Sequence, residues 1–158
     1  MKRQISIGIA LCLSIFFAAG IFIFSSTAHS TPYTTIDNKT LNVNLDAPEQ
    51  ATLLIIWASW CPTCRAEIPE LKALHKATKG VQFIGVNINK DPADGLHVQD
   101  VRDLTYQSIS NPNRSFLGRY GLRGTPGFVL IHANGTVLHA SNRLAQAKQA
   151  IKKHLASQ

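Results

Sequence analysis

The segment ATLLIIWASWCPTCRAEIPELKALHK, residues 51–76, decides the fold of this chain. It begins with an almost uninterrupted apolar run, Ala51–Trp57, which is typical of a strand covered on both faces of a sheet. Behind the two cysteines, apolar side chains recur every three residues, which predicts a helix over residues 62–79. The segment therefore predicts a buried strand that leads into a helix, with Cys61 and Cys64 at the junction.

The rest of the chain carries further patterns of strands, helices and turns. Asp91 followed by Pro92 is typical of a helix start, and Asn134-Gly135 is the strongest short-range signal for a β-hairpin. Ser141 is placed to cap the last helix. The order of elements predicts an α/β fold, in which a central mixed sheet is flanked by helices and extended by an N-terminal β-hairpin. The predicted strands are residues 33–36, 41–45, 51–57, 81–88, 106–109, 127–131 and 137–140, and the predicted helices are residues 62–79, 92–104, 113–120 and the segment after residue 141.

An apolar stretch precedes these elements at the N-terminus. Residues 5–24 contain no charged side chain and follow Lys2 and Arg3. A helix needs roughly 20 apolar residues to cross a bilayer, whereas the apolar part of a cleavable signal peptide is about 7–15 residues long. The length favours an uncleaved anchor, but the small residues that end at Ala28 also offer a cleavage site, so both interpretations stay open.

Either interpretation gives the same division of the chain. We assign residues 1–28 to a signal-anchor or signal peptide, residues 29–32 to a linker and residues 33–158 to one folded domain. The two N-terminal positive charges favour retention of that end in the cytoplasm and export of the rest. We therefore expect an inner-membrane protein with its C-terminal domain in the periplasm, or a soluble periplasmic protein if the signal is cleaved.

The composition excludes several other classes of protein. The 158 residues are 45% hydrophobic and 16% charged, which is enough apolar surface for a core and excludes wholesale disorder. Three cysteines are too few for a disulfide-stapled miniprotein or for a four-thiolate zinc site, and we expect no metal and no other cofactor. The net charge of +7 comes without an aromatic–basic stripe in a domain that we expect to be exported, so we expect no nucleic acid partner.

The cysteine pair carries the chemistry that the sequence predicts. Cys61 falls at the start of the predicted helix, where unpaired backbone N–H groups and the helix dipole favour an anion. Such a position lowers the pKa of a thiol from ~8.5 towards roughly 3.5–7.5, so Cys61 is expected to attack as a thiolate. Cys64 lies one turn deeper and is expected to be more covered, and it can resolve a mixed disulfide by attacking Cys61.

Two other interpretations of this cysteine pair remain as alternatives. A zinc site of this kind needs a second cysteine pair, and the chain has none. An inert structural disulfide more often joins distant segments, because closing a short loop removes little entropy from the unfolded chain. We therefore favour a redox-active pair over a structural disulfide or a pair of metal ligands.

The stretch from Trp57 to Glu67, WASWCPTCRAE, resembles the active-site segment of the thioredoxin superfamily. Within that superfamily it is similar to the membrane-anchored, periplasm-facing TlpA, ResA and DsbE (CcmG) proteins. The resemblance extends from about residue 33 onward and includes Pro69 in the helix and Thr125-Pro126 before a strand. It implies a thioredoxin-like fold and an exported thiol-disulfide oxidoreductase, linked in the DsbE branch to cytochrome c maturation.

The resemblance implies roles for three residues around the cysteine pair. Thr125 and Pro126 match the loop whose cis-proline packs beside the disulfide, and the Thr125 backbone would pair with an extended substrate segment. Trp60 would shield the thiols and offer a flat contact surface. The alternatives are an ordinary trans-proline turn and an aromatic side chain of the core.

Glu67 is the residue that the resemblance implicates in proton transfer. Thioredoxin has a buried aspartate six residues before its first cysteine, and the same position here is Ile55. TlpA- and ResA-type proteins instead carry a glutamate six residues after the first cysteine, which is Glu67. Since Cys64 and Glu67 share a helix face, a partly buried carboxyl there can exchange a proton with Cys64. The alternative is a solvated acid on the helix surface.

The sequence departs from the DsbE pattern in the charge around the site. DsbE proteins commonly carry a glutamate after the cis-proline, and here that position is Gly127. The surface beside the site is instead predicted to be basic, through Arg65, Arg119 and Arg123 and through seven Lys or Arg and no acid from residue 104 onward. An acidic partner or an anionic lipid surface would suit this charge, and a solvated basic face is the alternative.

The sequence thus predicts a thiol-disulfide reductase that acts on selected protein disulfides. Its partners would be protein thiol or disulfide substrates, a membrane electron donor of the DsbD or CcdA type, and the inner membrane through residues 5–24. An oxidant or isomerase on the same fold is the first alternative, because the motif does not give the reduction potential. A thioredoxin-fold binding or assembly factor without redox turnover is the second.

Overall fold

A computed structural model describes residues 30–158 of the protein, which contain seven strands and four helices. The predicted anchor or signal segment, residues 5–24, lies outside the described residues. Within residues 30–158, no helix is both long and apolar enough to span a membrane. The strands are β1 (Thr31–Thr34), β2 (Thr40–Val43), β3 (Ala51–Trp57), β4 (Val81–Asn87), β5 (Ser108–Ser110), β6 (Gly127–Ile131) and β7 (Val137–Ser141). The helices are α1 (Pro62–Ala77), α2 (Pro92–Val101), α3 (Ser115–Arg119) and α4 (Leu144–Leu155).

The central sheet has five strands in the order β5-β4-β3-β6-β7. Its middle strand, β3, pairs in parallel with β4 and antiparallel with β6, so the sheet is mixed, as predicted. All seven residues of β3 are buried, which confirms that this strand is covered on both faces. The N-terminal hairpin of β1 and β2 forms a separate antiparallel sheet, and an isolated bridge between Thr35 and Ile109 joins it to the edge at β5.

Alternate side chains of β3 point to opposite faces of the sheet and build two cores. Leu54 and Ile56 belong to the core that also contains both cysteines of the pair. Leu53 and Ile55 belong to the other core, together with Leu71 of α1 and the apolar face of α4. Burying each such side chain stabilises the fold by roughly 1.5–3 kcal/mol. The end of β3, from which the chain continues to the cysteine pair, is therefore fixed in position by both cores.

Two local signals in the sequence are confirmed by the observed contacts. The Asp91 carboxylate accepts a hydrogen bond from the Ala93 N–H, 2.9 Å away, and caps α2 as predicted. The Asn134-Gly135 turn joins β6 and β7, and Gly135 has a φ of +85°. A Cβ atom on Gly135 would lie 1.7 Å from the carbonyl oxygen of Asp46, so only glycine fits at this position.

Two boundaries near the ends of the domain differ from the prediction. β1 begins at Thr31, inside the segment 29–32 that the composition predicts as a linker. Ser141 is not the cap of α4, because it is the last residue of β7, where it pairs with Phe128. Arg143 occupies the N-cap position and makes no side-chain hydrogen bond to the helix. Strand pairing therefore outweighs the capping preference of this serine.

Candidate active site

Cys61 and Cys64 form a disulfide where β3 leads into α1, and their Cα atoms are 5.3 Å apart. Cys61 is the N-cap residue of α1, and its sulfur accepts a hydrogen bond from the Cys64 N–H, 3.1 Å away. The first turn of α1 contains no acidic residue, so no carboxylate there offsets the stabilisation that the helix dipole gives to a Cys61 thiolate. Cys61 thus occupies the position at which a helix start stabilises a thiolate.

The burial of the two cysteines differs from the prediction in one respect. Cys61 is 3% exposed and Cys64 is 4% exposed, so Cys64 is not the more covered of the two. The bond between the two sulfurs holds both side chains in the same apolar cluster, beside Ile56 and Ala58. In the oxidised protein the position of Cys61 at the helix start therefore does not expose it.

Trp60 immediately precedes Cys61 and remains largely accessible. Trp60 is 53% exposed, which excludes the alternative that it is an aromatic side chain of the core. The guanidinium carbon of Arg114 lies 5.8 Å from the centroid of its ring, within the range of a cation–π interaction. The predicted contact surface is thus a pair of side chains rather than a lone indole.

The Thr125–Pro126 peptide bond is cis, as the resemblance implies. Gly127, the next residue, pairs with Ile56 near the end of β3. This pairing brings the buried ring of Pro126 next to the cysteine pair, where it lines the same small cavity as Cys64. Strand pairing between β3 and β6 therefore assembles a site from two distant parts of the chain.

A cavity of about 10 Å³ lies on the inner side of the disulfide, close to the minimum that a single water needs. Cys64, Glu67 and Pro126 line it together with apolar and aromatic side chains, including Ile55 and Tyr106. Ile55, at the position of the buried aspartate of thioredoxin, offers no group that titrates. Among residues 30–158, Glu67 is the only one that brings a carboxyl to this cavity.

The Glu67 carboxyl is partly buried, and its Oε2 atom is buried without a hydrogen-bond partner among the described residues. Burial raises the pKa of Glu67 above its usual range, and the negative charge of Glu70 adds a smaller rise. This environment differs from that of a solvated acid on a helix surface. A carboxyl with a raised pKa beside a thiol can accept and return a proton more readily than an ordinary surface acid.

The thiol loop, residues 58–60, is held by a buried network of two asparagines. The Ser59 N–H donates to Asn89 Oδ1 over 2.8 Å, and Asn89 Nδ2 donates to Ser59 Oγ over 2.6 Å. Asn87 exchanges two hydrogen bonds with Asn89, one from its Nδ2 to Asn89 Oδ1 and one from the Asn89 N–H to its Oδ1, each 3.1 Å long. With Asn87 fully buried and Asn89 1% exposed, this network anchors the loop to the end of β4.

The proline loop, residues 124–126, is held by a single exposed side chain. Asn142 Nδ2 donates to the carbonyl oxygens of Gly124 and Pro126, at 2.7 and 2.6 Å. Within the part of the chain that the structure describes, no hydrogen bond of the Thr125 backbone is found. The loop is therefore fastened on both sides of Thr125, while the backbone of Thr125 itself stays open.

The predicted basic residues beside the site are not equivalent in the structure. Arg119 forms an ion pair with Asp46, so its charge is compensated. Arg65 and Arg123 are exposed. The positive charge at the site therefore depends less on Arg119 than its place in the sequence predicts.

The sequence prediction missed three residues that contact the site: Asn89, Asn142 and Arg114. A signal was present for Asn89, because a pair of asparagines interrupts the apolar run of β4 just before the chain leaves the sheet. No local pattern marks Asn142 or Arg114, whose contacts to the site arise only when the chain is folded.

Comparison with known proteins supports the same type of site. A family model described as Redoxin matches residues 25–152. The chain is 28% identical to the thiol:disulfide interchange protein DsbE of Pseudomonas aeruginosa over 153 residues, which cover 88% of this chain and 84% of that protein. It is 26% identical to the thiol-disulfide oxidoreductase ResA of Halalkalibacterium halodurans over 91 residues, which cover 56% of this chain and 52% of that protein.

A solved structure with the same fold adds to these relatives. The structure of a secreted Mycobacterium tuberculosis disulfide oxidoreductase, described as homologous to E. coli DsbE, has a TM-score of 0.66 against this chain at 20% identity. The match covers 82% of this chain and 99% of that one. At this identity the likeness shows the fold alone, and it confirms the predicted thioredoxin-like arrangement.

Proposed function

Because the chain belongs to the Redoxin family and is a thiol-disulfide oxidoreductase of the DsbE and ResA type, we propose that it reduces selected protein disulfides on the periplasmic side of the inner membrane. One observation carries this proposal. The Cys61–Cys64 disulfide lies at the start of α1, and the carboxyl of Glu67 lines the same cavity as Cys64. The site thus combines an attacking thiol, a resolving thiol and a proton acceptor.

The reaction consists of two exchanges at sulfur. The Cys61 thiolate attacks one sulfur of the substrate disulfide, forms a mixed disulfide and releases the other substrate sulfur as a thiolate. Cys64 then transfers its proton to the Glu67 carboxylate and attacks Cys61 Sγ, which releases the second substrate thiolate and closes the Cys61–Cys64 bond. Two electrons pass to the substrate, and its two thiolates take up protons from Glu67 and water.

The outer side of the disulfide supports binding of an extended protein segment. Asn142 occupies the carbonyl groups on either side of Thr125 and leaves the Thr125 backbone open. An extended chain can pair with such a backbone segment as a strand does with a sheet edge. Trp60, half exposed beside the cysteines, offers a flat apolar surface to the same segment.

A second dithiol must return the Cys61–Cys64 disulfide to its reduced form. We assign this step to a membrane electron donor of the DsbD or CcdA type, as the family resemblance implies. Residues 5–24 would hold the domain at the membrane or be removed as a signal peptide. The DsbE relative supports a location outside the cytoplasm. Apocytochrome c is the first substrate to test, although Gly127 departs from the DsbE pattern.

Replacement of each cysteine in the full-length protein tests this function. Cys64→Ala is expected to accumulate a mixed disulfide on Cys61, because no second thiol remains to release the substrate. Mass spectrometry of the trapped complex then identifies the partner. Cys61→Ala is the matched control, in which no complex accumulates and reduction of insulin falls to the background rate.

The reduction potential decides the direction of the reaction. A potential well below that of the glutathione couple supports a reductase, whereas a value of about −120 mV would make the protein an oxidant. A Cys61→Ala protein that restores the full phenotype of a deletion strain would show that redox turnover is not the function.

A further inference from the structure

Arg114 lies over the ring of Trp60, the residue before Cys61, although it is distant from it in the sequence. Its guanidinium carbon is 5.8 Å from the centroid of the Trp60 ring, and Trp60 is the residue before Cys61. A guanidinium that stacks on an indole through one face keeps its N–H donors free at the edge. The contact thus places a set of hydrogen-bond donors at the outer rim of the site.

The loop that carries Arg114 is held in place by side-chain hydrogen bonds. Asn111 is buried, and its Nδ2 donates to Asn113 Oδ1 and to Ser115 Oγ, at 2.9 and 2.8 Å. Its backbone N–H donates to the carbonyl oxygen of Asn87, 2.7 Å away at the end of β4. Arg114 itself has a φ of +59°, a conformation that non-glycine residues rarely adopt. These contacts fix the direction in which its side chain leaves the backbone.

The charge of Arg114 is not compensated by an ion pair. Among residues 30–158 there are four salt bridges, and none of them includes Arg114. The neighbouring Arg119, by contrast, is paired with Asp46. From residue 104 to the C-terminus the chain contains seven Lys or Arg and no acid, so no carboxylate of this region competes for the Arg114 guanidinium.

We propose that Arg114, stacked on Trp60, binds a carboxylate side chain next to the cysteine of the substrate, so that the protein prefers acidic segments. The inference rests on the proposed reductase function and names its substrate class. A substrate segment that lies along Thr125 passes Trp60, where the planar edge of the guanidinium can hold a carboxylate with two parallel hydrogen bonds. Positive charge at the rim also accelerates the encounter with such a segment.

Three cystine peptides that differ in one residue test this preference. Each consists of two identical chains joined by one disulfide, with Glu, Gln or Lys next to the cysteine, and each is reduced by the full-length protein at low salt. The rate constants are divided by those measured with dithiothreitol, which corrects for the intrinsic reactivity of each disulfide. We expect the Glu peptide to be reduced about 1.5 to 5 times faster than the Gln peptide, the range of an exposed charged contact, and the Lys peptide to be slowest.

Two variants separate the role of Arg114 from general charge. In Arg114→Gln the Glu-to-Gln ratio is expected to fall to about one, whereas in Lys153→Gln, which removes an exposed charge near the end of α4, the ratio is expected to persist. Added salt is expected to lower the ratio of the wild-type protein, because exposed charges are screened. Circular dichroism and thermal unfolding confirm that both variants are folded.

Three outcomes would overturn the inference in distinguishable ways. A wild-type ratio near one, with all peptides reduced, would leave the reductase function in place and remove the acidic preference. An Arg114→Gln protein that slows all three peptides by the same factor would show that Arg114 acts on the Cys61 thiolate instead. If the wild-type protein reduces no peptide and no insulin, the proposed function falls together with this inference.

Discussion

The two loops that meet at the disulfide are held in opposite ways. The thiol loop, residues 58–60, is anchored from inside by Asn89, which is 1% exposed and hydrogen-bonded to both its neighbour Asn87 and Ser59. The proline loop, residues 124–126, is anchored from outside by Asn142, an exposed residue with two hydrogen bonds. One anchor belongs to the core, and the other belongs to the surface.

This difference separates two requirements of the reaction. The position of the attacking sulfur must be fixed relative to the helix start, and a loop tied into the core provides that. The surface that receives a substrate must leave backbone groups free, and a loop pinned only at its two ends provides that for Thr125. We therefore expect damage to the inner anchor to affect folding and thiol reactivity, and damage to the outer anchor to affect substrate binding.

Asn89→Leu is expected to produce the largest loss of stability. The change leaves the partly buried Ser59 N–H and the buried Asn87 amide without their partner, and unpaired buried polar groups are costly. We expect the free energy of unfolding of the oxidised protein to fall by about 2–4 kcal/mol, measured by urea denaturation. In the reduced protein, iodoacetamide is expected to alkylate Cys61 more slowly, because the helix start is no longer held in place.

Asn89→Asp is the informative companion to this variant. Asn89→Asp keeps the oxygen that accepts from the Ser59 N–H but loses the Nδ2 donor. At a pH where the acid is neutral, it is therefore expected to be more stable than Asn89→Leu and less stable than the wild-type protein. A loss below about 0.5 kcal/mol in Asn89→Leu, the size of an ordinary surface effect, would contradict the idea that this loop is anchored in the core.

Asn142→Ala is expected to cost less, about 0.5–1.5 kcal/mol, because the carbonyl groups it leaves behind can bond to water. Its main effect is expected on substrate binding, as a rise in KM for insulin or a cystine peptide of about twofold to tenfold. Alkylation of Cys61 by iodoacetamide is expected to match the wild-type rate, since the thiol loop is untouched.

The comparison of the two variants decides whether the anchors act independently. If Asn142→Ala slows alkylation of Cys61 as much as Asn89→Leu does, the two loops are coupled through the disulfide and cannot be assigned separate roles. A double variant whose loss of stability equals the sum of the single losses would support independence, because distant and unlinked sites are usually additive.

The sequence predicts most of the fold because the relevant signals are local. The apolar run of Ala51–Trp57 has no polar gap in its centre, so its burial on both faces is confirmed. The Asp91 cap and the Asn134-Gly135 turn are likewise set by neighbouring residues. Ser141 shows the limit of this reasoning, since a residue type that suits a helix cap is here the last residue of β7 and pairs with Phe128 of β6.

The site was predictable only where its residues carry a motif. Cys61 and Cys64 follow the end of β3 by four and seven residues. Thr125, Pro126 and Glu67 are implied by the family resemblance, and their roles in the reaction stay predictions. The anchors depend on contacts across the fold. Ser59 and Asn89 are 30 residues apart, and Asn142 is 18 residues from Gly124. Asn89 could be suspected because two asparagines interrupt the apolar run of β4, but no local pattern distinguishes Asn142 from other surface asparagines.

Glu67→Gln is expected to have the smallest effect on stability, and the effect depends on pH. Burial, helped by the charge of Glu70, raises the pKa of the Glu67 carboxyl above its ordinary value of 4.5. Well below that value the group is protonated in both the folded and the unfolded protein and makes no difference. As the pH rises from the ordinary value through the raised one, the unfolded chain ionises first, so the folded protein loses stability.

A neutral glutamine removes this dependence on pH. The oxidised variant is expected to match the wild-type protein near pH 4 and to exceed its free energy of unfolding at pH 8 by less than about 1 kcal/mol, because a partly solvated carboxyl is screened. Urea denaturation across this range measures the difference. Glu70→Gln is the matched control. Glu70 lies on α1, like Glu67, and forms an exposed ion pair with Lys148 of α4, so its replacement should weaken the pH dependence of stability without abolishing it.

The same variant also tests which loop the carboxyl serves. Glu67 lines the cavity on the inner side of the disulfide, so its loss should slow the attack of Cys64 on a mixed disulfide and leave peptide binding at the proline loop unchanged. If Glu67→Gln keeps the wild-type dependence of stability on pH, the pKa of Glu67 is not raised in the folded protein. The proton in the resolving step would then have to leave through water, and the inner side of the disulfide would have only a packing role.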